Sequence, residues 1–157
     1  IRARSVSRGL GDVYKRQARV NPPSLVQLAT ARAVYLVQLS WWPFGPELAG
    51  LLADPAVIKA GVAIGDDMRE LARLHPFKPA GMVDLGMVAR AHQLTTQGLR
   101  TLAANLFGQR ISKGPQCSNW SVMELSKRQV IYAATDAWIG RAIYLRMREL
   151  GMTGEAA

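Results

Sequence analysis

Tyr132 and Asp136 stand four residues apart in an apolar stretch, QVIYAATDAW at residues 129–138, that has the periodicity of a helix. Residues at this spacing lie on one face of a helix, so the phenol and the carboxylate would point the same way. A carboxylate is costly to bury among apolar residues unless something pairs with it, and a divalent cation is one such partner. The pattern leaves another interpretation open, in which Asp136 faces solvent or pairs with Arg141.

Two adjacent acids, Asp66 and Asp67, follow a buried apolar segment, VIKAGVAI at residues 57–64, that we predict to be a strand. The ends of strands in α/β proteins are where ligand-binding side chains project from a rigid support. An acid in the first turn of a helix is also favoured by the helix dipole. We therefore predict that one acid caps a helix reaching residue 74 and that the other is free to bind a ligand.

A polar loop, PQCSNWS at residues 115–121, precedes the helix of Tyr132. It could present Asn119 and Trp120 to a base or a sugar, because aromatic rings stack on bases. Alternatively, Trp120 fills the core, and the sequence does not decide between the two.

The remaining pattern predicts the elements that must position these residues. We expect strands at residues 24–30 and 33–39 joined as a hairpin, a helix at 46–52, a strand at 82–85, and helices at 88–92 and 99–107. A long helix should begin after Ser126 and end near Gly151. Strands followed by alternating strands and helices predict an α/β fold, a mixed sheet flanked by helices.

Composition narrows the class of protein. The 157 residues are 49% hydrophobic and 20% charged, which suits one soluble domain. No apolar run approaches the roughly 20 residues that cross a bilayer, so no membrane partner is expected. Cys117 is the single cysteine, so we predict a cytoplasmic location, and with only His75 and His92 besides it a zinc site is not expected. The oligomeric state is left open.

The net charge of +9 is unevenly distributed. Residues 1–19 contain six basic residues and one acid, so they hold +5 of it, and they lack periodicity. We predict that residues 1–19 are a non-native or disordered basic segment and that the domain occupies residues 20–152. A basic arm that binds nucleic acid is the alternative. The remaining +4 suits either a phosphate-binding surface or an ordinary solvated one.

These stretches, in this order, resemble the tyrosine-bearing branch of the DEDD 3′–5′ exonucleases, the branch of ribonuclease D and the Werner-syndrome exonuclease domain. The resemblance covers residues 21–150 and includes the further fragments PPSLVQLAT, AVYLVQL, Val83-Asp84-Leu85, GLRTLAANLFG and ISKGPQCSNWS. It implies a ribonuclease-H-like fold and removal of nucleotides from the single-stranded 3′ end of DNA or RNA.

The resemblance also implies the roles of particular residues. Asp67 falls at the end of the family's second motif, and Tyr132 and Asp136 match its third, Tyr-x-x-x-Asp. By resemblance, Asp67 and Asp136 are metal ligands in a family that holds two Mg²⁺ or Mn²⁺ ions with four acids, and Tyr132 orients or helps deprotonate the attacking water. We expect the preceding loop to contact the nucleic acid through Lys113, Ser118, Asn119 and Trp120.

The family's first motif, Phe-Asp-x-Glu on an opening strand before Pro22, is absent. Asp12 is the only acid before Glu47, and no glutamate stands two residues after it. We therefore predict that the chain is truncated at its N-terminus, that the opening strand is missing, and that this fragment is inactive or nearly so. Two other hypotheses stay open: a non-catalytic nucleic-acid-binding module of the same fold, and a structural domain with Tyr132 and Asp136 packed inside.

Overall fold

The computed structural model describes residues 2–4, 22–95, 97–111 and 118–154. Within these ranges the chain forms, in order, β1 (Arg2–Arg4), β2 (Leu25–Ala29), β3 (Val34–Gln38), α1 (Pro46–Ala53), β4 (Lys59–Gly61), α2 (Ile64–Leu74), β5 (Met82–Asp84), α3 (Leu85–Ala91), α4 (Leu99–Phe107) and α5 (Lys127–Glu149). This order confirms the predicted α/β class. Among the helices described, none is both long and apolar enough to span a membrane.

The strands form two small sheets. β1, β2 and β3 make an antiparallel sheet in that order, and β4 pairs with β5 in parallel. The predicted hairpin is confirmed: its turn is closed by the Thr30 hydroxyl oxygen, which accepts hydrogen bonds from the backbone N–H groups of Arg32 at 3.2 Å and Ala33 at 3.1 Å. Antiparallel and parallel pairs are thus both present, but in two separate small sheets and not in the one mixed sheet that was predicted.

Helices cover the sheets on both faces. Successive residues of a strand point to opposite faces, and in β2 the Val26 side chain packs against α1 and α2 whereas Leu25 packs against α5. The second sheet repeats this division: Met82 packs with the α1–α2 cluster and Val83 with a cluster built from α3, α4 and α5. The helices that carry Asp67 and Asp136 therefore belong to opposite layers.

The prediction that the opening strand is missing was wrong in one respect. β1 pairs with β2 in antiparallel register, with Arg2 opposite Gln27 and Arg4 opposite Leu25. Without β1, the backbone groups along that edge of β2 would lack strand partners. The three residues of β1 supply partners for part of that edge. β1 contains no carboxylate, so it supplies a strand without supplying the acidic motif.

Two helix starts differ from those predicted. α2 begins at Ile64 after Ala63, whose φ of 54° lies in the left-handed region, and no side chain caps it. Asp66 and Asp67 lie within its first turn, so the prediction that one of them is the cap was wrong. α3 begins earlier than predicted because the Asp84 carboxylate caps it, accepting hydrogen bonds from the backbone N–H groups of residues 86 and 87 at 2.9 and 3.2 Å.

α5 begins where the sequence predicted. Ser126 is its N-cap, and Gln129 completes a capping box in which each side chain accepts a hydrogen bond from the other residue's backbone N–H. Gly151, with a φ of 68°, follows the helix at its end. This fixed start sets the rotation of α5, and with it the face on which Tyr132 and Asp136 lie.

Candidate active site

Tyr132 and Asp136 are both buried on α5. Their side chains are 6% and 3% exposed, so the interpretation in which Asp136 faces solvent is wrong. The ion pairs found among the described residues do not include one between Asp136 and Arg141. The structure therefore agrees with the expectation that the tyrosine and the carboxylate point inward together from one helix face.

Tyr132 is held by an aromatic ring and by a cation. Its ring lies 6.1 Å from that of Trp120, in a cluster that also contains Leu25 and Ala133. The Arg100 guanidinium donates a hydrogen bond to the tyrosine hydroxyl and lies 5.6 Å from the centre of the ring. The phenol is thus fixed in direction, which suits a residue that positions a reactant.

Arg100 was missed by the sequence analysis. It is the second residue of α4, and a cation in the first turn of a helix opposes the helix dipole. That conflict with local preference was the signal that could have marked Arg100 as having another role, here the support of Tyr132.

The contact between Arg100 and Tyr132 can be measured with a double-mutant cycle. We expect Arg100→Ala and Tyr132→Phe to be non-additive in urea unfolding, with a coupling free energy of about 1 kcal/mol or more, because a hydrogen bond from a charged donor is lost in each. Arg90→Ala combined with Tyr132→Phe is the control, since Arg90 bonds instead to Gln97. Additive effects in both cycles would contradict the contact.

The loop before α5 is tied to the helix by Gln129. This buried side chain donates hydrogen bonds to the Ser118 hydroxyl at 3.2 Å and to the Asn119 carbonyl at 2.9 Å. Asn119 is exposed, and its side-chain oxygen accepts a hydrogen bond from the backbone N–H two residues on. Trp120 is only 1% exposed, so it fills the core and has no free face for stacking on a base. Lys113 lies outside the described residues.

Asp67 approaches from the other layer. It lies in the first turn of α2, is partly exposed, and follows β4 by a few residues. α2 contacts β1 whereas α5 contacts β2, the neighbouring strand of the same sheet. These contacts place both helices against the first sheet, and the convergence of Asp67 and Asp136 stays a prediction.

The family follows from comparison with known proteins. Residues 17–151 match the family model described as 3′–5′ exonuclease. The chain belongs to this exonuclease family. It is 33% identical over 151 residues to the mouse bifunctional 3′–5′ exonuclease/ATP-dependent helicase WRN, covering 91% of this chain and 11% of WRN. It is 34% identical over 131 residues to ribonuclease D of Granulibacter bethesdensis, covering 80% of this chain and 32% of that enzyme.

Solved structures agree on the fold. The EXO domain of Aedes aegypti Nibbler superposes with a TM-score of 0.75 at 24% identity, covering 87% of this chain and 74% of that one. The catalytic core of RRP6 from Trypanosoma brucei gives 0.76 at 18% identity, covering 85% and 37%. These likenesses confirm the ribonuclease-H-like fold. The chain spans less than a third of the length of WRN or of that ribonuclease D.

Within the part of the chain that the structure describes, the donor set does not fit a two-metal centre. Within residues 2–4, 22–95, 97–111 and 118–154, no group of three or more His, Cys, Asp or Glu side chains could hold a metal ion. Asp67 and Asp136 provide at most two of the four acids that the family resemblance implies. A two-metal centre needs carboxylates that bridge and surround both ions, so no catalytic step through metals follows from the residues present.

A cavity of about 360 Å³ lies elsewhere, between the end of β2, the start of β4 and the second half of α5. Its lining includes Ala29, Lys59 and Arg141 but none of the predicted site residues. Lys59 is buried, and its ammonium donates a hydrogen bond to the Asp54 carbonyl at 2.5 Å. Burial lowers the pKa of Lys59 below its ordinary value, and the Asp54 carboxylate partly offsets this. The predicted site residues therefore lie outside the lining of this cavity.

Proposed function

We propose that the reaction of this domain is hydrolysis of the terminal phosphodiester at a single-stranded 3′ end of DNA or RNA. The observation that carries the proposal is the pair formed by Tyr132 and Asp136 on the buried face of α5, at the spacing of the family's third motif. Membership of the 3′–5′ exonuclease family supports the same reaction. Phosphate-directed chemistry does not depend on the identity of the base, which leaves both nucleic acids as candidates.

The proposed roles rest on the residues' chemistry. Asp67 and Asp136 are acceptor-only groups that would bind divalent cations such as Mg²⁺ or Mn²⁺, and Tyr132 would position a water or phosphate oxygen. A structure of Brucella melitensis NrnC with bound Mg²⁺ and another of NrnC bound to pGG share the fold of this chain, with TM-scores of 0.68 and 0.70. The first supports a divalent cation, and the second supports an oligonucleotide, as a ligand of the intact domain.

We further propose that the chain with this sequence is inactive or nearly so. None of its 157 residues forms an Asp-x-Glu pair, and the described residues contain no group of three or more His, Cys, Asp or Glu side chains that could hold a metal ion. Mg²⁺ requires near-octahedral oxygen coordination, which two separate carboxylates hold weakly. The absence of the Asp-x-Glu pair therefore weakens the binding and bridging of the cations.

A cleavage assay tests this proposal. With a 3′-labelled single strand and either Mg²⁺ or Mn²⁺, we expect nucleotide release no faster than in EDTA, because the metal ligands are incomplete. Asp136→Asn in the same chain is the matched control and should give the same background. Robust release that Asp136→Asn abolishes would contradict the proposed inactivity while supporting the site.

Binding without cleavage is the second candidate function. The incomplete donor set favours it, because phosphate contacts from basic side chains and stacking need no metal. This function requires that the chain bind a single strand equally well in Mg²⁺ and in EDTA. An affinity that falls sharply in EDTA would indicate that a cation contributes to binding, as in a catalytic member.

A further inference from the structure

Two adjacent tryptophans are exposed directly after β3. Trp41 is 66% exposed and Trp42 is 60% exposed, and Met123, from the loop before α5, is 59% exposed beside them. We call these three residues the tryptophan surface. Large apolar side chains that gather at an exposed position on a soluble domain commonly mark an interaction site, and no part of the proposed catalytic chemistry uses them.

Hydrogen bonds hold the backbone of the tryptophan surface and the Trp41 indole in place. The backbone N–H groups of Trp41 and Trp42 both donate to the Gln38 carbonyl, at 3.1 and 2.9 Å. The indole N–H of Trp41 donates to the Met123 carbonyl at 2.8 Å, and the Gln38 amide donates to the Val122 carbonyl at 3.0 Å. Because the loop is already held in place, little conformational entropy remains to be lost when a ligand binds.

The surface adjoins the candidate active site. Trp120, which packs on Tyr132, stands two residues before Val122 in the same loop. On the other side, the backbone N–H of Leu39 donates to the Ser24 carbonyl at 2.9 Å, and Leu25 belongs to the Tyr132 cluster. The exposed rings are therefore attached to both chain segments that hold the tyrosine.

Basic residues follow the surface closely in the sequence. Lys127 and Arg128 are exposed in the first turn of α5, four and five residues after Met123. The ion pairs of the described residues include neither of them. Glu124 is the one acid in the connecting segment, residues 123–128, so that segment has a net positive charge. Exposed aromatic faces together with basic side chains are the combination with which proteins hold single-stranded nucleic acid.

We propose that the tryptophan surface stacks the unpaired bases of a single-stranded nucleic acid whose 3′ end lies at Tyr132. This inference rests on the proposed nucleic-acid function and assigns it a second contact region. The indole rings of Trp41 and Trp42 bind base faces, and Lys127 and Arg128 contact the phosphates. Stacking does not depend on base identity, so the surface accepts any unpaired sequence and rejects a blunt duplex, whose bases are already stacked.

The test is the affinity of the full chain for labelled oligothymidylate, measured by fluorescence anisotropy in EDTA so that no cleavage intervenes. We expect Trp41→Ala and Trp42→Ala each to weaken binding by about fivefold or more, the effect of losing one stacked base. Phenylalanine at either position should restore part of the loss and leucine should not. Trp138→Ala is the matched control, because Trp138 is 56% exposed on α5, and it should change the affinity by less than about twofold.

An abasic strand of the same length separates stacking from other contacts. The unaltered chain should bind it more weakly than oligothymidylate, and the two alanine variants should bind it as weakly as the unaltered chain does. If the unaltered chain binds oligothymidylate and both alanine variants match it, the stacking surface is overturned while the nucleic-acid function stands. The stacking proposal is also overturned if the two alanine variants lose as much affinity for the abasic strand as for oligothymidylate. It is likewise overturned if they lose self-association and keep their affinity for the strand. No binding of any single strand by the unaltered chain would refute the proposed function itself.

Discussion

Replacing Arg2 with aspartate and Arg4 with glutamate should give this chain a divalent-metal-dependent 3′–5′ exonuclease activity at least about a hundredfold above that of the unaltered chain. The substitutions introduce the family's Asp-x-Glu motif into β1. Positions 2 and 4 pair with Gln27 and Leu25, and Leu25 packs against α5. The substitutions would therefore bring two carboxylates onto the strand that pairs with β2, and β2 packs on the helix of the third motif.

Controls separate new metal ligands from the removal of two positive charges. Arg2→Asn with Arg4→Gln has the same shape and no carboxylate, so it should remain inactive. Adding Asp136→Asn to the aspartate–glutamate variant should abolish the gain, because Asp136 is a proposed ligand of the same cations. Nucleotide release from a 3′-labelled strand in Mg²⁺ and in Mn²⁺ is the measurement. An inactive aspartate–glutamate variant whose far-ultraviolet circular dichroism matches that of the unaltered chain would contradict the proposed register of the site.

Local sequence signals predicted the elements whose stability depends on neighbours in the chain. The capping residue Ser126 and the apolar pattern after it defined the start of α5, and Gly151 marked its end. Two short apolar runs rich in β-forming residues, separated by a three-residue join, identified the hairpin of β2 and β3. These signals act within a few residues, which is why they can be recognised in a single sequence.

The differences between prediction and structure arise from contacts that are distant in sequence. Ala63 adopts a left-handed conformation that no local rule predicts for alanine, and it moves the start of α2 ahead of the acids expected to cap it. β1 forms only because the edge of β2 is available to it. Arg100 acquires its role from Tyr132, which lies 32 residues away. Each of these features depends on the folded neighbourhood and not on the local pattern.

Trp120 is the clearest example of a position that the local pattern does not decide. The sequence allowed it either to fill the core or to contact a base, and these two interpretations place it in opposite environments. Its immediate neighbours Asn119 and Ser121 are polar, and the local pattern is compatible with either environment. In the structure it fills the space between Leu25 and Tyr132, with Leu36 and Leu125 at the rim of the cluster. The loop is held there by Gln129, so the side chain that places Trp120 in the core is on α5.

Trp120→Ala should lower the free energy of unfolding by about 3–5 kcal/mol, since a fully buried tryptophan is removed and a cavity is left against Tyr132. This is a large share of the roughly 5–15 kcal/mol that holds a domain of this size. Urea unfolding followed by circular dichroism is the measurement. Should the alanine variant fail to fold, Trp120→Phe keeps a ring against Tyr132 and should cost roughly 1–3 kcal/mol.

Trp138→Ala is the matched control for burial, because it removes the same side chain from a position that is 56% exposed. It should change the free energy of unfolding by no more than about 0.5 kcal/mol. Comparable losses of unfolding free energy at both positions would mean that Trp120 is not a core residue. It could then stack on a nucleic-acid base. A large loss at Trp120 alone means instead that the loop contributes to the site indirectly, by fixing the ring on which Tyr132 rests.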